Sequence, residues 1–330
     1  MSITPQEKAA LNLRELYEKF GYKYYRMNKF EEYDFYAKNK QSLISNGIIT
    51  FTDVNGKLMA LKPDVTLSII KNLHDVNGLT QKFYYDEKVY RVSKNHNSFR
   101  EINQVGIETV GKIDNYFICE VINLALESLN LISNGRKFIL DVSDLDALKN
   151  LLPENNREYI LNLIAEKNSH ELKKILGEDH ALTKNNFNNL KSEKLNNILE
   201  IFKNENNINL DFSTVNDPNY YNGIVFKGYI EGVPECILSG GQYDKLMSRM
   251  HNNLNLNAIG FAIYTDLLAG INDENEIYDA DILILYDDNT PINKILECVK
   301  NYTGSNMRVN VQKNIIPENF KYKKLVNLNA

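Results

Sequence analysis

Cysteine is scarce in this sequence. Cys119, Cys236 and Cys298 stand far apart, and no two have metal-ligand spacing. That excludes a disulfide-stapled scaffold and fits reduced, buried thiols in a cytosolic protein. Long apolar runs are also missing: nowhere do 18 such residues stand together, and the N-terminal Met-Ser-Ile-Thr-Pro-Gln-Glu-Lys has no basic stretch followed by an apolar core. Neither a spanning helix nor a secretory signal is expected, and the expected location is the cytoplasm. Positive charge is in deficit, with 38 Lys and Arg against 43 Asp and Glu and a formal net charge of −5. Such a chain is ill suited to non-specific nucleic-acid binding, which draws on phosphate neutralisation. The five histidines are scattered, and there is no phosphate-loop, dinucleotide, serine-hydrolase or zinc-peptidase motif. No metal and no cofactor is expected.

What is present is ordinary globular composition: 330 residues, 43% hydrophobic and 25% charged, enough for two or three domains. Thr4-Pro5-Gln6-Glu7 followed by Leu13, Leu16, Tyr17 and Phe20 predicts a first helix over roughly 5–20, with Gly21 as its stop. The β-rich texture from 22 to 60 contains a hairpin turn at Asn55-Gly56. A short helix over 64–74 and strands over 82–92 and 99–111 come next, and then a helix over 114–132 capped by Asp114. Residues 144–206 read as helical and charged. Strand texture returns at 208–238. Gly240-Gly241 is read as a tight turn into a helix near 242–250, and 257–264 as an apolar strand. After the acidic stretch 273–276 a β-α-β unit covers 280–286, 291–302 and 307–312, and the tail from Ile315 is poorly patterned. Antiparallel strands with segregated helices indicate an α+β class. The expected organisation is a core of 1–142 and 208–272, a helical insertion at 143–207 and a short C-terminal α/β domain at 277–330.

Five strings carry a more specific signal: Leu61-Lys62-Pro63-Asp64-Val65-Thr66, Val89-Tyr90-Arg91, Phe99-Arg100-Glu101-Ile102-Asn103-Gln104-Val105-Gly106-Ile107-Glu108, Asn219-Tyr220-Tyr221-Asn222-Gly223-Ile224-Val225-Phe226, and Ser239-Gly240-Gly241-Gln242-Tyr243-Asp244-Lys245-Leu246. In this order and at these separations they resemble the class II catalytic core of histidyl-tRNA synthetases. The resemblance implies a six-stranded antiparallel sheet flanked by helices, usually dimeric. It also implies a histidine pocket built from Asp64, Thr66, Gln104, Glu108, Tyr220 and Tyr221, with the acids taking the ammonium and a tyrosine reading the ring. The residues themselves are compatible with that use. Gln104, Gly106 and Glu108 share one face of a strand because side chains alternate, and glycine in the middle leaves room for a ligand. Singly, each of these tyrosines and carboxylates could equally be a packing or pairing residue.

The chain departs from the synthetase pattern where cations are needed. Asn216 stands in place of the arginine that opens the histidine-specific loop. Asp266 replaces the arginine of motif three, and Ser93 a glutamate after motif two. Gln242 replaces the arginine of Gly-Gly-Arg-Tyr-Asp, Asn28 replaces the proline of motif one, and an arginine near Ser98 is lost. Adenylate formation develops charge on phosphates and on the transferred carboxylate, so ATP activation is not expected. Arg91 and Arg100 remain, open either to an anion or to sheet-edge pairing. The region after 277 holds Lys294, Lys300, Arg308, Lys313, Lys321, Lys323 and Lys324 against Asp279, Asp281, Asp287, Asp288, Glu297 and Glu318. It is shorter than the synthetases' anticodon domain of about 90 residues, and tRNA is not an expected partner. A synthetase-like core with the amino-acid pocket but without the nucleotide cations is similar to the family of ATP phosphoribosyltransferase regulatory subunits. That resemblance implies a non-catalytic partner for a short-form catalytic subunit, a homodimer within a hetero-octamer, and feedback inhibition by histidine in the first step of histidine biosynthesis. A shortened histidyl-tRNA synthetase and a stand-alone histidine-binding sensor are the alternatives.

Overall fold

The first helix, α1 (Pro5–Lys19), begins at the proline and places Leu13 and Tyr17, four residues apart, on one fully buried stripe. The computed structural model describes residues 4–39, 47–73, 78–92, 98–180, 182–183, 192–215, 220–250, 256–271, 278–316 and 318–329. The chain divides into two units, Pro5–Ile271 and one holding Asn272–Ala330.

In the larger unit α1 is followed by β1 (Lys23–Tyr24), β2 (Phe30–Glu32), α2 (Tyr33–Lys38), β3 (Thr50–Thr52), β4 (Leu58–Leu61) and α3 (Thr66–Lys71). Strands β2, β4 and β3 form a small antiparallel sheet. The β3–β4 turn closes at Gly56, whose φ is +81°, while Asp53 Oδ1 accepts from the Asn55 and Lys57 amides, each at 2.8 Å. The long antiparallel pair β5 (Gln81–Val92) and β6 (Phe99–Gly111) comes next, then α4 (Asn115–Ile132), N-capped by the Asp114 carboxylate on the Phe117 amide. Strand β7 (Phe138–Asp144) leads into helices α5 (Leu145–Asn150), α6 (Arg157–Ala165), α7 (Ser169–Leu176) and α8 (Glu193–Ile201). Strands β8 (Ile208–Leu210), β9 (Asn222–Ile230) and β10 (Leu238–Gln242), helix α9 (Asp244–Met250), strand β11 (Asn257–Tyr264) and a 3-10 turn, Thr265–Gly270, complete the unit.

The main sheet has eight strands in the order β1-β5-β6-β11-β10-β9-β7-β8. Its six inner strands are antiparallel, while β1 and β8 add a parallel strand at each edge. These edge strands extend the implied six-stranded sheet and are too short for their pairing to be read from pattern. One face of the sheet packs on α1 and α4 through Tyr84, Val105, Ile107, Val142, Phe226 and Phe261. The helical stretch from α5 to α8 shares this core through Leu145, Leu148, Ile160, Ile164, Leu195 and Ile198. Asp144 ties its two ends, accepting from the Asp146 and Ala147 amides and from the Ser192 hydroxyl at 2.5 Å. The opposite face of the sheet carries a second apolar cluster that includes Val110, Leu67, Ile70, Tyr220, Tyr243, Leu246 and Met247.

Several local expectations need correction. Gly240 and Gly241 are not a turn; they lie within β10, where a Cβ on Gly240 would overlap the Gly260 carbonyl oxygen and stand 2.5 Å from Phe261 Cβ. Close strand approach, not chain reversal, requires these glycines. The poorly patterned tail contains a strand: the smaller unit is a parallel sheet, β13-β12-β14, of β12 (Ala280–Tyr286), β13 (Val309–Lys313) and β14 (Tyr322–Asn327), with α10 (Ile292–Gly304) between β12 and β13. Lys323-Lys324 within β14 masks its periodicity. The three cysteines are free but only partly buried.

Two stability outcomes follow from packing. Gly240→Ala is expected to lower the unfolding free energy by about 1–3 kcal/mol, the usual cost of overpacking, in urea titrations. Lys149 on α5 buries its Nζ without a hydrogen-bond partner among the described residues; burial, Lys245 and Arg157 push its pKa below the usual lysine value, and the opposing pull of Asp146 does not offset them. Replacing a partly buried ammonium crowded by other cations with hydrocarbon of similar length removes a desolvation cost and a like-charge repulsion larger than the attraction to Asp146. Lys149→Met is therefore expected to raise the thermal unfolding midpoint.

Candidate functional site

Strand pairing builds the floor of one small cavity. Gln104, Gly106 and Glu108 point to the face of β6 opposite α4, and on β11 their direct neighbours are Tyr264, Ala262 and Gly260. On β5 the neighbour of Gly106 is Tyr85, and on β10 the neighbour of Ala262 is Ser239. Asp64, Val65 and Thr66 close the cavity from the start of α3, Tyr220 and Tyr221 from the segment before β9, Tyr243 from the segment before α9, and Arg91 from β5. The free space measures about 30 Å³, roughly enough for a water or two. Larger grooves exist, including one of about 670 Å³ between α4 and α8 and one of about 720 Å³ near β1 and β5. The small cavity is distinguished by its concentration of buried ionisable groups.

Glu108 is the centre of that concentration. It is 2% exposed. Its Oε1 accepts from Thr66 Oγ1 at 2.6 Å and its Oε2 from the Tyr243 hydroxyl at 2.6 Å. Gly260 makes the space: a Cβ there would overlap Glu108 Oε2 and the Ile107 carbonyl oxygen. Burial pushes the Glu108 pKa up to about 8; the two hydroxyls oppose the rise and Asp64 adds to it. Asp64 is also buried and raised, again mainly by desolvation, with the Leu67 amide and Arg91 pulling it down. One of its oxygens is committed, since Asp64 Oδ1 accepts from the Leu67 amide at 2.9 Å and so holds the first turn of α3.

Arg91 is the one cation among the described lining residues. Its Nε donates to the Pro63 carbonyl at 3.1 Å, which ties the guanidinium to the segment carrying Asp64. Tyr220 packs on Tyr221 with ring centroids 4.6 Å apart and on Tyr243 at 6.0 Å. Burial raises all three phenols well above their usual range, so they stay protonated and able to donate.

Asp64, Thr66, Gln104, Glu108, Tyr220 and Tyr221 thus line a single cavity, together with Arg91. Arg100 does not; it is exposed and pairs across the β5–β6 ladder with Arg91 only through backbone register. Gly106 does not leave the room expected of it, because the Tyr85 hydroxyl and the Phe261 carbonyl fill the space a Cβ would take. Asp266 is exposed and accepts from the Asn103 amide at 2.9 Å and from the Asn103 side chain. Gln242 is buried and accepts from the Ile224 amide at 3.0 Å and from Lys194 Nζ at 3.2 Å, at a register shift between β10 and β9. Asn28 is exposed beside the groove near β1. Ser93 and Asn216 lie outside the described residues.

Sequence reasoning missed Tyr85, Ser239, Tyr243, Gly260, Ala262 and Tyr264 as lining residues. Tyr243 sits inside a quoted string, but its hydroxyl reaches Glu108 across 135 positions. The others become visible as a group only once β5, β6, β10 and β11 are in register.

The Glu108 environment sets a pH dependence of stability. In the folded chain Glu108 keeps its proton to about pH 8, against an ordinary value of 4.5. Between those values the native state binds the extra proton, so this residue makes stability fall as pH rises and adds no slope above about 8. Urea titrations at pH 5, 6, 7 and 8 are expected to show Glu108→Gln gaining stability relative to the parent as pH rises.

Comparison with known proteins agrees with this architecture. The sequence profile of the family described as histidyl-tRNA synthetase matches residues 3–197 and 180–268. The chain is 31% identical over 288 residues to an ATP phosphoribosyltransferase regulatory subunit of Caldanaerobacter subterraneus subsp. tengcongensis, covering 76% of this chain and 74% of the relative. It is 28% identical over 330 residues to a histidine–tRNA ligase of Methanocaldococcus jannaschii, covering 87% and 76%. A crystal structure of an ATP phosphoribosyltransferase regulatory subunit/histidyl-tRNA synthetase from Bacillus halodurans C superposes with a TM-score of 0.79 at 19% identity, covering 99% of this chain and 94% of that one. A histidyl-tRNA synthetase from Nostoc sp. PCC 7120 superposes at 0.74 with 14% identity, covering 95% and 83%. At those identities the superpositions speak for the fold. The α+β sheet, the class II strings along it and the relatives over three quarters of the chain place it in the histidyl-tRNA synthetase family, among the ATP phosphoribosyltransferase regulatory subunits.

Proposed function

We propose that this chain is a non-catalytic subunit that senses free histidine through the cavity around Glu108 and regulates a short-form ATP phosphoribosyltransferase catalytic subunit, which needs it for activity. Dimers of the chain bridge catalytic dimers in a hetero-octamer, and histidine inhibits the complex. The observation that carries this reading is the charge inventory of the cavity: two carboxyls, one guanidinium and a wall of protonated phenols. An amino-acid zwitterion matches that set, with its ammonium at Asp64 and Glu108 and its carboxylate within the field of Arg91. A triphosphate does not match it, since nucleotide activation calls for several cations around the phosphates. Asp266 adds a carboxylate where the synthetases carry an arginine, and its hydrogen bonds to Asn103 hold it there. In the smaller unit Arg308 and Lys323 are paired with Asp281 and Lys313 with Asp288, and the seven Lys and Arg after residue 277 face six Asp and Glu, a near-neutral balance that does not favour RNA.

Histidine entry requires the cavity to open, because about 30 Å³ does not hold an imidazole-bearing amino acid. Feedback then needs a coupling free energy of about 1–3 kcal/mol between this cavity and the catalytic subunit.

Reconstitution tests the assignment. A short catalytic subunit is expected to be active only with this chain present, and histidine is expected to inhibit the mixture. Glu108→Ala should leave the activation and raise the inhibitory histidine concentration at least about tenfold. Failure to activate, or inhibition unchanged in the variant, overturns the reading. The second reading, a shortened synthetase, is favoured by the ligase relative and predicts histidine-dependent pyrophosphate exchange with ATP; none is expected.

A further inference from the structure

The charges facing Glu108 do not balance among themselves. They comprise Asp64 from the segment before α3, Tyr85 and Arg91 from β5, Tyr220 and Tyr221 from the segment before β9, Tyr243 from the segment before α9 and Tyr264 from β11. The phenols are all raised above their usual range and neutral. With both carboxyls ionised the enclosure would hold two negative charges against the single positive charge of Arg91. Arg91 is oriented toward Pro63, Asp64 and Tyr264 rather than toward Glu108, whose oxygens meet, among the described residues, only the hydroxyls of Thr66 and Tyr243. A buried carboxylate with no cation and no amide on it is costly. A carboxylic acid in the same place is not, because either hydroxyl can turn from donor to acceptor and take the acid's O–H.

We propose that Glu108 is a neutral carboxylic acid in the free subunit and that capture of an amine ligand exchanges the ligand's ammonium for the Glu108 proton. The ligand enters with its amine protonated, the Glu108 O–H bond breaks, the proton goes to solvent, and the carboxylate left behind accepts from the ammonium. The bound zwitterion is itself neutral, so the cavity keeps one negative charge in excess, three anions against two cations, but the ammonium now stands on Glu108 and supplies the cation that Arg91, turned toward Asp64, does not. Burial that raises Glu108 to about 8 supports the same assignment. This exchange rests on the reading of the cavity as an amino-acid site, and it makes effector affinity a function of pH over the physiological range.

Calorimetry of histidine binding to the full chain at pH 7, in two buffers of widely different ionisation enthalpy, reads the exchange directly. Close to one proton is expected to be released per histidine bound, and affinity is expected to rise about fivefold from pH 7 to 8, where the histidine imidazole is already mostly neutral. Glu108→Gln should bind more weakly, release no proton at this position and lose that pH dependence. Infrared difference spectra between parent and Glu108→Gln supply a readout that needs no ligand: the parent should show the carbonyl stretch of a protonated carboxylic acid at pH 7. Histidine binding with equal heats in both buffers overturns the exchange, and so does absence of the acid band. A present acid band with no histidine binding refutes the amino-acid reading of the cavity, and with it the exchange, while leaving the neutral state of Glu108 established.

Discussion

Burial of the Glu108 carboxyl against the sheet is the constraint on which the cavity depends. Among the described residues the group is held only by hydroxyls, one from Thr66 at the start of α3 and one from Tyr243 just before α9. Those two elements form the roof over that face of the sheet, so a single side chain on β6 pins both. The arrangement exists because Gly260, directly across the ladder, has no Cβ. A carboxyl fastened this way can be rigid and neutral at once, which a salt bridge would not permit.

The remainder of the fold serves to hold that face still. Tyr17, Tyr84, Val105, Ile107 and Phe261 form a buried apolar contact between the far side of the sheet and α1 and α4. The helices α5 to α8 extend the same core, and Asp144 closes the stretch on itself through Ser192. Lys194, from the same stretch, reaches Gln242 at the strand irregularity beside Gly223. An arginine at that position would bring a charge to a place where Gln242 now caps a backbone amide. The departures from the synthetase pattern are thus structural as well as electrostatic: Gln242 and Asp266 both have acceptor roles of their own.

Much of the large-scale architecture was legible in the sequence because its signals are local or strongly periodic. Helices α1 and α4 show their caps and stripes, β5 and β6 show long alternating runs, and Asn55-Gly56 marks its own turn. Short edge strands such as β1 and β8 carry too few residues for a period, and β14 hides behind Lys323-Lys324. The reading of Gly240-Gly241 as a turn failed because glycine signals conformational freedom and close approach alike, and only the neighbouring strand tells them apart.

What the chain's order of residues determined alone is the family, the α+β class and the six polar positions that meet in one cavity, since these rest on strings of fixed spacing and on strand alternation. Tertiary structure decided the rest. Tyr85 closes over Gly106, Asp64 spends an oxygen on its own helix, Arg100 stays outside, and Glu108 has no cation hydrogen-bonded to it among the described residues. Each of these depends on distances between segments far apart along the chain. The energy of a buried charge is set by whatever the fold brings within a few ångströms of it, and no spacing in the sequence states that.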